Sequence, residues 1–190
     1  MMSWIRGHVL DVLAADGRLL LGGSAYAPNG PGHGAWSSAQ RIEGSGTPAA
    51  GAINLYDTSY EKDSSDHRPA IYCGSRAFGA SSRRDLQAVN SEYIEYRRML
   101  LPLIVVSHQP DKLAAQAEAD QITANVLLIM VGSHQVEGGY WYELTAPGDS
   151  GGGAAQEHTW VTASPNDGFA LALSAVPLVI RYSWNPGSPP

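Results

Sequence analysis

The sequence is poor in the residues that mark several large classes of protein. It has one cysteine, Cys73, among 190 residues. A single cysteine cannot form an intramolecular disulfide bond, so the lone thiol fits a reducing compartment better than a disulfide-stabilised secreted domain. Lys and Arg together number 12 against 18 Asp and Glu, which gives a formal net charge of -6. Because phosphate binding depends on clustered basic side chains, we do not expect a general nucleic-acid binder.

Long apolar runs are also missing. The longest run, residues 126–131, is far too short to cross a bilayer. Residues 1–18 carry polar side chains every few positions, which is not typical of a signal peptide. We therefore expect a soluble protein with no membrane partner.

Glycine and proline are plentiful, with 21 and 12 residues, beside 44% hydrophobic and 16% charged residues. This composition predicts one folded domain over residues 1–190, with many turns and long Gly/Pro-rich loops. Residues 22–51 are rich in Gly, Pro, Ala and Ser, so we expect an extended loop or arm there. Residues 185–190 are predicted to form a flexible C-terminal tail.

Periodicity and turn residues predict an α, three-strand, α, three-strand order. The first helix spans residues 3–15, and the second begins at Pro110 and ends before Gly132. The predicted strands span residues 52–57, 69–75, 99–107, 139–145, 158–164 and 169–184. This order predicts an α+β fold, in which a mixed or antiparallel sheet carries both helices packed on one face.

Three local features of these elements can be predicted. The first two strands are expected to form a hairpin with a long tip, and Pro102 is expected at an edge or bulge. The second helix is expected to pack on the sheet through one apolar stripe. That stripe comprises Leu113, Ala117, Ala124, Leu128 and Val131, widened by Ile122, Val126 and Ile129.

One short segment suggests nucleophilic chemistry. Residues 148–153, Gly-Asp-Ser-Gly-Gly-Gly, nearly match the Gly-Asp-Ser-Gly-Gly-Pro around the nucleophile of chymotrypsin-like serine proteases. Such a protease needs a His to accept the hydroxyl proton and an Asp to orient that His. The candidates that occur in the right order are His33, one of Asp63, Asp66 and Asp85, and Ser150.

Three departures weaken this interpretation. His33 is not preceded by the small-residue strand end that precedes the catalytic His of the family, and Gly153 stands in place of the Pro. A long helix is also predicted where a two-barrel protease has strands. We therefore predict a flexible turn between strands at residues 148–153, and no catalytic residue.

Metal and cofactor motifs are equally sparse. Residues 63–67, Asp-Ser-Ser-Asp-His, bring two carboxylates close to an imidazole. However, the sequence has no HExxH motif, no second Cys for a zinc cluster, and no Gly-rich phosphate loop between a predicted strand and a helix. We predict a solvated loop tip, no metal site and no cofactor.

Aromatic residues cluster in the C-terminal half. Tyr140, Trp141 and Tyr142 are consecutive, and Tyr182 and Trp184 close the last predicted strand. On a strand Tyr140 and Tyr142 share one face and Trp141 takes the other, so at least one large ring must be covered. Core packing, burial against a neighbouring subunit, and capture of a small molecule or glycan each explain the cluster.

Taken in order, the segments resemble the tail-terminator and neck-completion proteins of long-tailed bacteriophages. An N-terminal helix is followed by "INLYDTSYEKDSSDHRPAIYCGSR" and then by "RRMLLPLIVVSHQPDKLAAQAEADQITANVLLIM". The final "AVPLVIRYSW" resembles the closing strand of that family.

This resemblance implies a structural virion protein without catalysis. It implies a homo-oligomeric ring, hexameric, that caps the tail tube protein and joins it to the head-tail connector or stopper protein. The subunit would be assembled in the host cytoplasm and located in the tail or neck of the virion. Genomic DNA would pass through the lumen without specific binding, which suits the acidic net charge.

Two sets of residues are candidates for assembly contacts. One is the acidic hairpin tip with Asp63, Asp66 and Arg68, because exposed loop tips meet partners. The other is the strand with Tyr140, Trp141 and Tyr142, because aromatic patches anchor interfaces. Two functions of other classes stay open, namely a serine hydrolase that uses Ser150 and a non-catalytic ligand-binding module.

Overall fold

A computed structural model describes eleven stretches of the chain. These stretches are residues 2–23, 36–43, 46–49, 51–60, 69–74, 85–89, 92–130, 133–137, 140–145, 158–163 and 170–184. They form two α-helices and one mixed β-sheet, which confirms the α+β class. None of the helices in these stretches is long and apolar enough to cross a membrane.

The helices and strands follow one another in an order close to the predicted one. The helices are α1 (Met2–Ala15), a short 3-10 helix (Gly17–Leu20) and α2 (Lys112–Met130). The strands are β1 (Ser38–Ile42), β2 (Ala52–Tyr56), β3 (Ala70–Cys73), β4 (Asp85–Val89), β5 (Glu92–Gln109), β6 (Ser133–Glu137), β7 (Tyr140–Thr145), β8 (His158–Ala163) and β9 (Ala170–Trp184).

The sheet is organised around two long central strands. Its order is β1-β2-β3-β5-β9-β7-β6, with β4 also paired to β5 and β8 also paired to β9. The first three strands run parallel to one another, and the other pairings are antiparallel. Strands β5 and β9 pair continuously from Glu95↔Trp184 to Gln109↔Ala170. Each of these two strands also pairs with two shorter strands, β5 with β3 and β4, and β9 with β7 and β8.

Two prolines face each other across these central strands, in the pair Pro102↔Pro177. Neither has an N–H group, so the pair belongs to the class of antiparallel positions whose backbone groups point away from each other. On the outer sides, the pairings among the described residues leave a gap in β5 at residues 97–102 and one in β9 at residues 176–178. Pro102 was expected at an edge or bulge. It lies in an internal strand, at a position where the described stretches show no pairing on its outer side.

The structure corrects two predictions about the N-terminal half. The expected hairpin between residues 52–57 and 69–75 is wrong, because β2 and β3 pair in parallel and are joined by a crossover. The expected loop over residues 22–51 is wrong at Ser38–Ile42, where β1 pairs in parallel with β2. Sequence reasoning also missed β4 and β6.

The main core is one cluster of buried apolar side chains from the helices and the strands. Helix α1 buries Ile5, Val9, Leu10 and Leu13, which recur at helical spacing. These residues join alternating positions of the strands and the buried side of α2 in one cluster. Since each fully buried Leu or Ile stabilises the fold by about 1.5–3 kcal/mol, this cluster is the main source of stability.

Ion pairs hold α1 against the parallel strands. Arg6 Nε lies 2.7 Å from Asp57 Oδ1, and Arg41 Nη1 lies 2.7 Å from Asp11 Oδ1. Because these side chains are partly exposed, each pair contributes little to stability by itself. Their role is to set the orientation of α1 on β1 and β2.

Along β2 and β3, the side chains that alternate with those of the main core form a second, smaller cluster. It contains Ile42, Tyr56 and Tyr72, with Tyr60 packed against it. The rings of Tyr56 and Tyr72 stack with centroids 4.8 Å apart, and Tyr60 meets Tyr72 edge-on at 5.3 Å. Stacking and edge-on contacts are the favoured geometries of aromatic pairs.

Candidate assembly interface

Helix α2 begins with an acidic cap. The Asp111 carboxylate accepts a hydrogen bond from the backbone N–H of Ala114 at 2.8 Å, and the Asp111 carbonyl accepts one from Ala115 at 3.0 Å. Asp111 is therefore the N-cap, and Pro110 lies before the helix instead of at its first position. The cap fixes where the helical register of α2 begins.

The buried side of α2 carries polar residues among the apolar ones. Ala115, Ala119, Ile122, Val126 and Ile129 belong to the main core. The polar residues on this side are Glu118, Thr123 and Asn125. Burial of polar groups is costly unless each finds a partner, so their partners matter.

Glu118 is 1% exposed and joins three elements. The indole N–H of Trp36 donates to Glu118 Oε1 at 3.0 Å. The hydroxyl of Ser107, at the end of β5, donates to Glu118 Oε2. Residue Trp36 lies 82 positions away in sequence, so no local pattern could indicate this contact. The network links α2, β5 and the segment before β1.

Asn125 and Thr123 anchor the same side of the helix. The Asn125 amide donates to the carbonyls of Leu19 and Leu21, each at 2.9 Å, which attaches α2 to the 3-10 helix. The Thr123 hydroxyl donates to the Ser174 hydroxyl of β9 at 2.9 Å. Together with Glu118, these hydrogen bonds fix the rotation of α2 about its own axis.

Fixing this rotation leaves an apolar face in solvent. Leu113 is 80% exposed and Leu128 is 53% exposed, and Ala117 and Ala124 are exposed between them. We call these four residues the outer face of α2. At 100° per residue they span about 60° of the helix surface and point away from the core.

The outer face corrects the predicted stripe. Leu113, Ala117, Ala124 and Leu128 were expected to pack on the sheet, but they are exposed. The predicted widening residues Ile122, Val126 and Ile129 make the actual core contact. The helix thus has two apolar stripes. The buried stripe is the one that also carries Glu118, Thr123 and Asn125, because these polar residues have hydrogen-bond partners in the interior.

Charges are scarce on this side of the helix. The exposed residues of α2 are Lys112, Leu113, Gln116, Ala117, Asp120, Ala124 and Leu128, so only Lys112 and Asp120 are charged. A surface helix usually presents charged residues opposite its apolar stripe. The Leu21 carbonyl accepts the Asn125 amide, and the side chain of Leu21 is 50% exposed. An exposed apolar patch of this kind is typical of an interaction surface.

The structure describes the predicted contact residues only in part. Asp63, Asp66 and Arg68 lie outside the described residues, as does Ser150. Tyr140, Trp141 and Tyr142 form the start of β7, and Tyr142 pairs with Tyr182 of β9. The predicted strand is confirmed at that point, whereas contacts by these side chains stay a prediction. The outer face of α2 was not among the predicted sites.

Reactive chemistry is limited among the residues that the structure describes. No group of three His, Cys, Asp or Glu side chains within the described stretches could hold a metal ion. Burial raises the pKa of the Cys73 thiol to about 12, with the negative charge of Asp57 acting in the same direction. Since the thiolate is the nucleophilic form, Cys73 is not activated for catalysis.

A scan against models of known protein families finds no match to the chain, and a search of curated proteins finds no significant similarity.

Proposed function

We propose that this chain is a structural subunit that works by self-association, as a tail-terminator or neck protein of a long-tailed bacteriophage. Six subunits form a ring that caps the tail tube and joins it to the head-tail connector or stopper. The chain is one domain, with no catalytic step and no cofactor. Its place of action is the virion, after assembly in the host cytoplasm.

The observation that supports an assembly role is the outer face of α2. Leu113 is 80% exposed and Leu128 is 53% exposed on a well-anchored helix. Covering these side chains with another surface removes apolar area from water, which is favourable. A ring subunit needs surfaces that stay apolar until its neighbour arrives.

Two further features agree with this role. The net charge of -6 disfavours adhesion of DNA to the ring, so DNA can slide through the lumen. We also infer that both helices pack on the same sheet face, because the main core joins Leu10 of α1 and Ile122 of α2 with Leu103 and Val105 of β5. That arrangement leaves the outer face of α2 on the outside of the molecule.

Light scattering with negative-stain microscopy tests this proposal. Across a concentration series, we expect particles of six times the 20.2-kDa subunit mass and rings with a central pore. Leu113→Glu should shift the mass towards smaller species, because it places a charge in the apolar face. Gln116→Glu adds the same charge to an exposed position of α2 outside that face and serves as the matched control.

The serine hydrolase alternative makes a different prediction. It requires Ser150 to react with a fluorophosphonate probe and the labelling to disappear in Ser150→Ala. Folded protein that is labelled at Ser150 and stays a monomer at every concentration would replace the ring proposal with the enzyme.

A further inference from the structure

The link between α1 and the 3-10 helix contains an Asp-Gly pair, Asp16 and Gly17. In such a pair the backbone nitrogen of the glycine can attack the side-chain carboxyl of the aspartate, because a glycine has no side chain that hinders the approach. A bond forms between this nitrogen and Cγ, the bond from Cγ to the hydroxyl oxygen breaks, and one water molecule leaves. Water then opens the cyclic imide to aspartate or isoaspartate, so the reaction needs no other reactant.

Arg18 surrounds the Asp16 carboxylate with hydrogen-bond donors. Its backbone N–H donates to Oδ1 at 2.9 Å, and its Nε lies 3.0 Å from each carboxylate oxygen. Its Nη2 donates to Oδ2 at 2.5 Å. These hydrogen bonds lower the pKa of Asp16, and those of the Arg18 side chain are the main cause. Because the hydroxyl must leave as water, the imide forms from the protonated acid, and Arg18 holds the carboxyl in its ionised form.

The backbone of Asp16 also opposes ring closure. Its conformation is extended, with a φ of -93° and a ψ of 112°. A cyclic imide requires a negative ψ at the aspartate, because the glycine nitrogen must come close to the side chain. Asp16 stays extended as the N-cap of the 3-10 helix, since its carbonyl accepts the N–H of Leu19 at 3.1 Å and its carboxylate accepts that of Arg18. The same hydrogen bonds therefore hold the carboxylate and the backbone.

We propose that the bond between Asp16 and Gly17 is a modification site at which isoaspartate forms, and that Arg18 is the positioning residue that keeps the native pair closed to this reaction. Gly17 is exposed, and a Cβ added there meets nothing within 4 Å, so packing does not shield its nitrogen. This inference does not depend on the proposed function.

The modification would act on the attachment of α2. Isoaspartate carries the main chain through the side-chain carbon of residue 16, which lengthens the backbone by one methylene and displaces the carboxylate from the capping position. The 3-10 helix that begins there includes Leu19, whose carbonyl accepts the Asn125 amide of α2 at 2.9 Å. Loss of the cap therefore weakens one of the hydrogen bonds that fix the rotation of α2.

Peptide mapping of the folded, full-length chain after long incubation at neutral pH tests the proposal. Fragmentation that distinguishes isoaspartate from aspartate measures the conversion at residue 16. We expect Arg18→Gln to convert about two- to fivefold faster than the native chain, a range set by the modest strength of an exposed ion pair. Gly17→Ala should suppress the reaction in both backgrounds, because a side chain at residue 17 hinders attack by its nitrogen.

Trp36→Phe is the control for global unfolding, because it removes a buried hydrogen bond to Glu118 and leaves the contacts between Asp16 and Arg18 unchanged. Faster conversion in Arg18→Gln only, suppressed by Gly17→Ala, supports the proposal. Equal rates in Arg18→Gln and the native chain would show that Arg18 gives no protection. Conversion in Trp36→Phe as fast as in Arg18→Gln would show that the reaction passes through the unfolded chain, which also overturns the proposal.

Discussion

The strongest prediction for stability concerns the buried contact between Trp36 and Glu118. Trp36→Phe keeps an aromatic ring in the core but removes the indole N–H that donates to Glu118 Oε1 at 3.0 Å. A hydrogen bond to a carboxylate contributes about 1.5–3 kcal/mol. The smaller ring also leaves a void, which costs about 1 kcal/mol more. We expect the free energy of unfolding to fall by about 2–4 kcal/mol.

The assay is denaturant unfolding followed by circular dichroism, because the chain has five tryptophans and fluorescence would not isolate one of them. Glu118→Leu removes the acceptor of the indole N–H and completes a double-mutant cycle with Trp36→Phe. A coupling energy near zero, or a loss below about 0.5 kcal/mol for Trp36→Phe, would refute the argument that this contact fixes α2.

Two other predictions follow from buried positions. A Cβ at Gly23 would lie 2.9 Å from the Trp36 ring, whereas one at Gly17 would meet nothing within 4 Å. We therefore expect Gly23→Ala to lower the free energy of unfolding by about 1–3 kcal/mol and Gly17→Ala to leave it nearly unchanged, as measured by thermal unfolding. Because burial raises the pKa of Cys73 from 9.0 to about 12, the folded thiol keeps its proton where the unfolded one has lost it. Stability should therefore fall as the pH rises from about 9 towards 12. Cys73→Ala should remove this part of the pH dependence, and rapid reaction of native Cys73 with a thiol reagent at neutral pH would contradict the burial.

Helix α2 shows how far the sequence predicts this fold. Its limits were predicted to within two residues from Pro110 and Gly132, but its orientation was not. Two stripes were available, and the choice depends on Glu118 and Asn125. Trp36, one partner of Glu118, lies 82 positions away in sequence, and the Leu19 and Leu21 carbonyls that accept the Asn125 amide lie 106 and 104 positions away. From the local pattern alone, such polar residues are expected to face solvent. The helical spacing of the apolar residues therefore assigned the outer face to the core.

Strand β1 and the parallel pairing of β2 with β3 were missed for a related reason. The sequence of β1, Ser-Ala-Gln-Arg-Ile, lacks a strong strand pattern and lies in a segment rich in Gly and Pro. It becomes a strand because β2 offers it a partner. The pairing of β2 with β3 was predicted as a hairpin because adjacent strands often form one, but pairing direction depends on contacts that are distant in sequence. The strands with long apolar runs, β5 and β9, were predictable.

The paired prolines of β5 and β9 have a mechanical consequence. On one side of Pro102 and Pro177 the sheet runs β1-β2-β3-β5-β9-β8, and on the other it runs β4-β5-β9-β7-β6. At the level of the prolines, the described pairings hold only two strands together, and the proline pair itself exchanges no backbone hydrogen bond. Resistance to bending is lowest where a sheet is narrowest. A change of angle between the two halves of the sheet would therefore concentrate at this one pair, while the core around α2 keeps its shape.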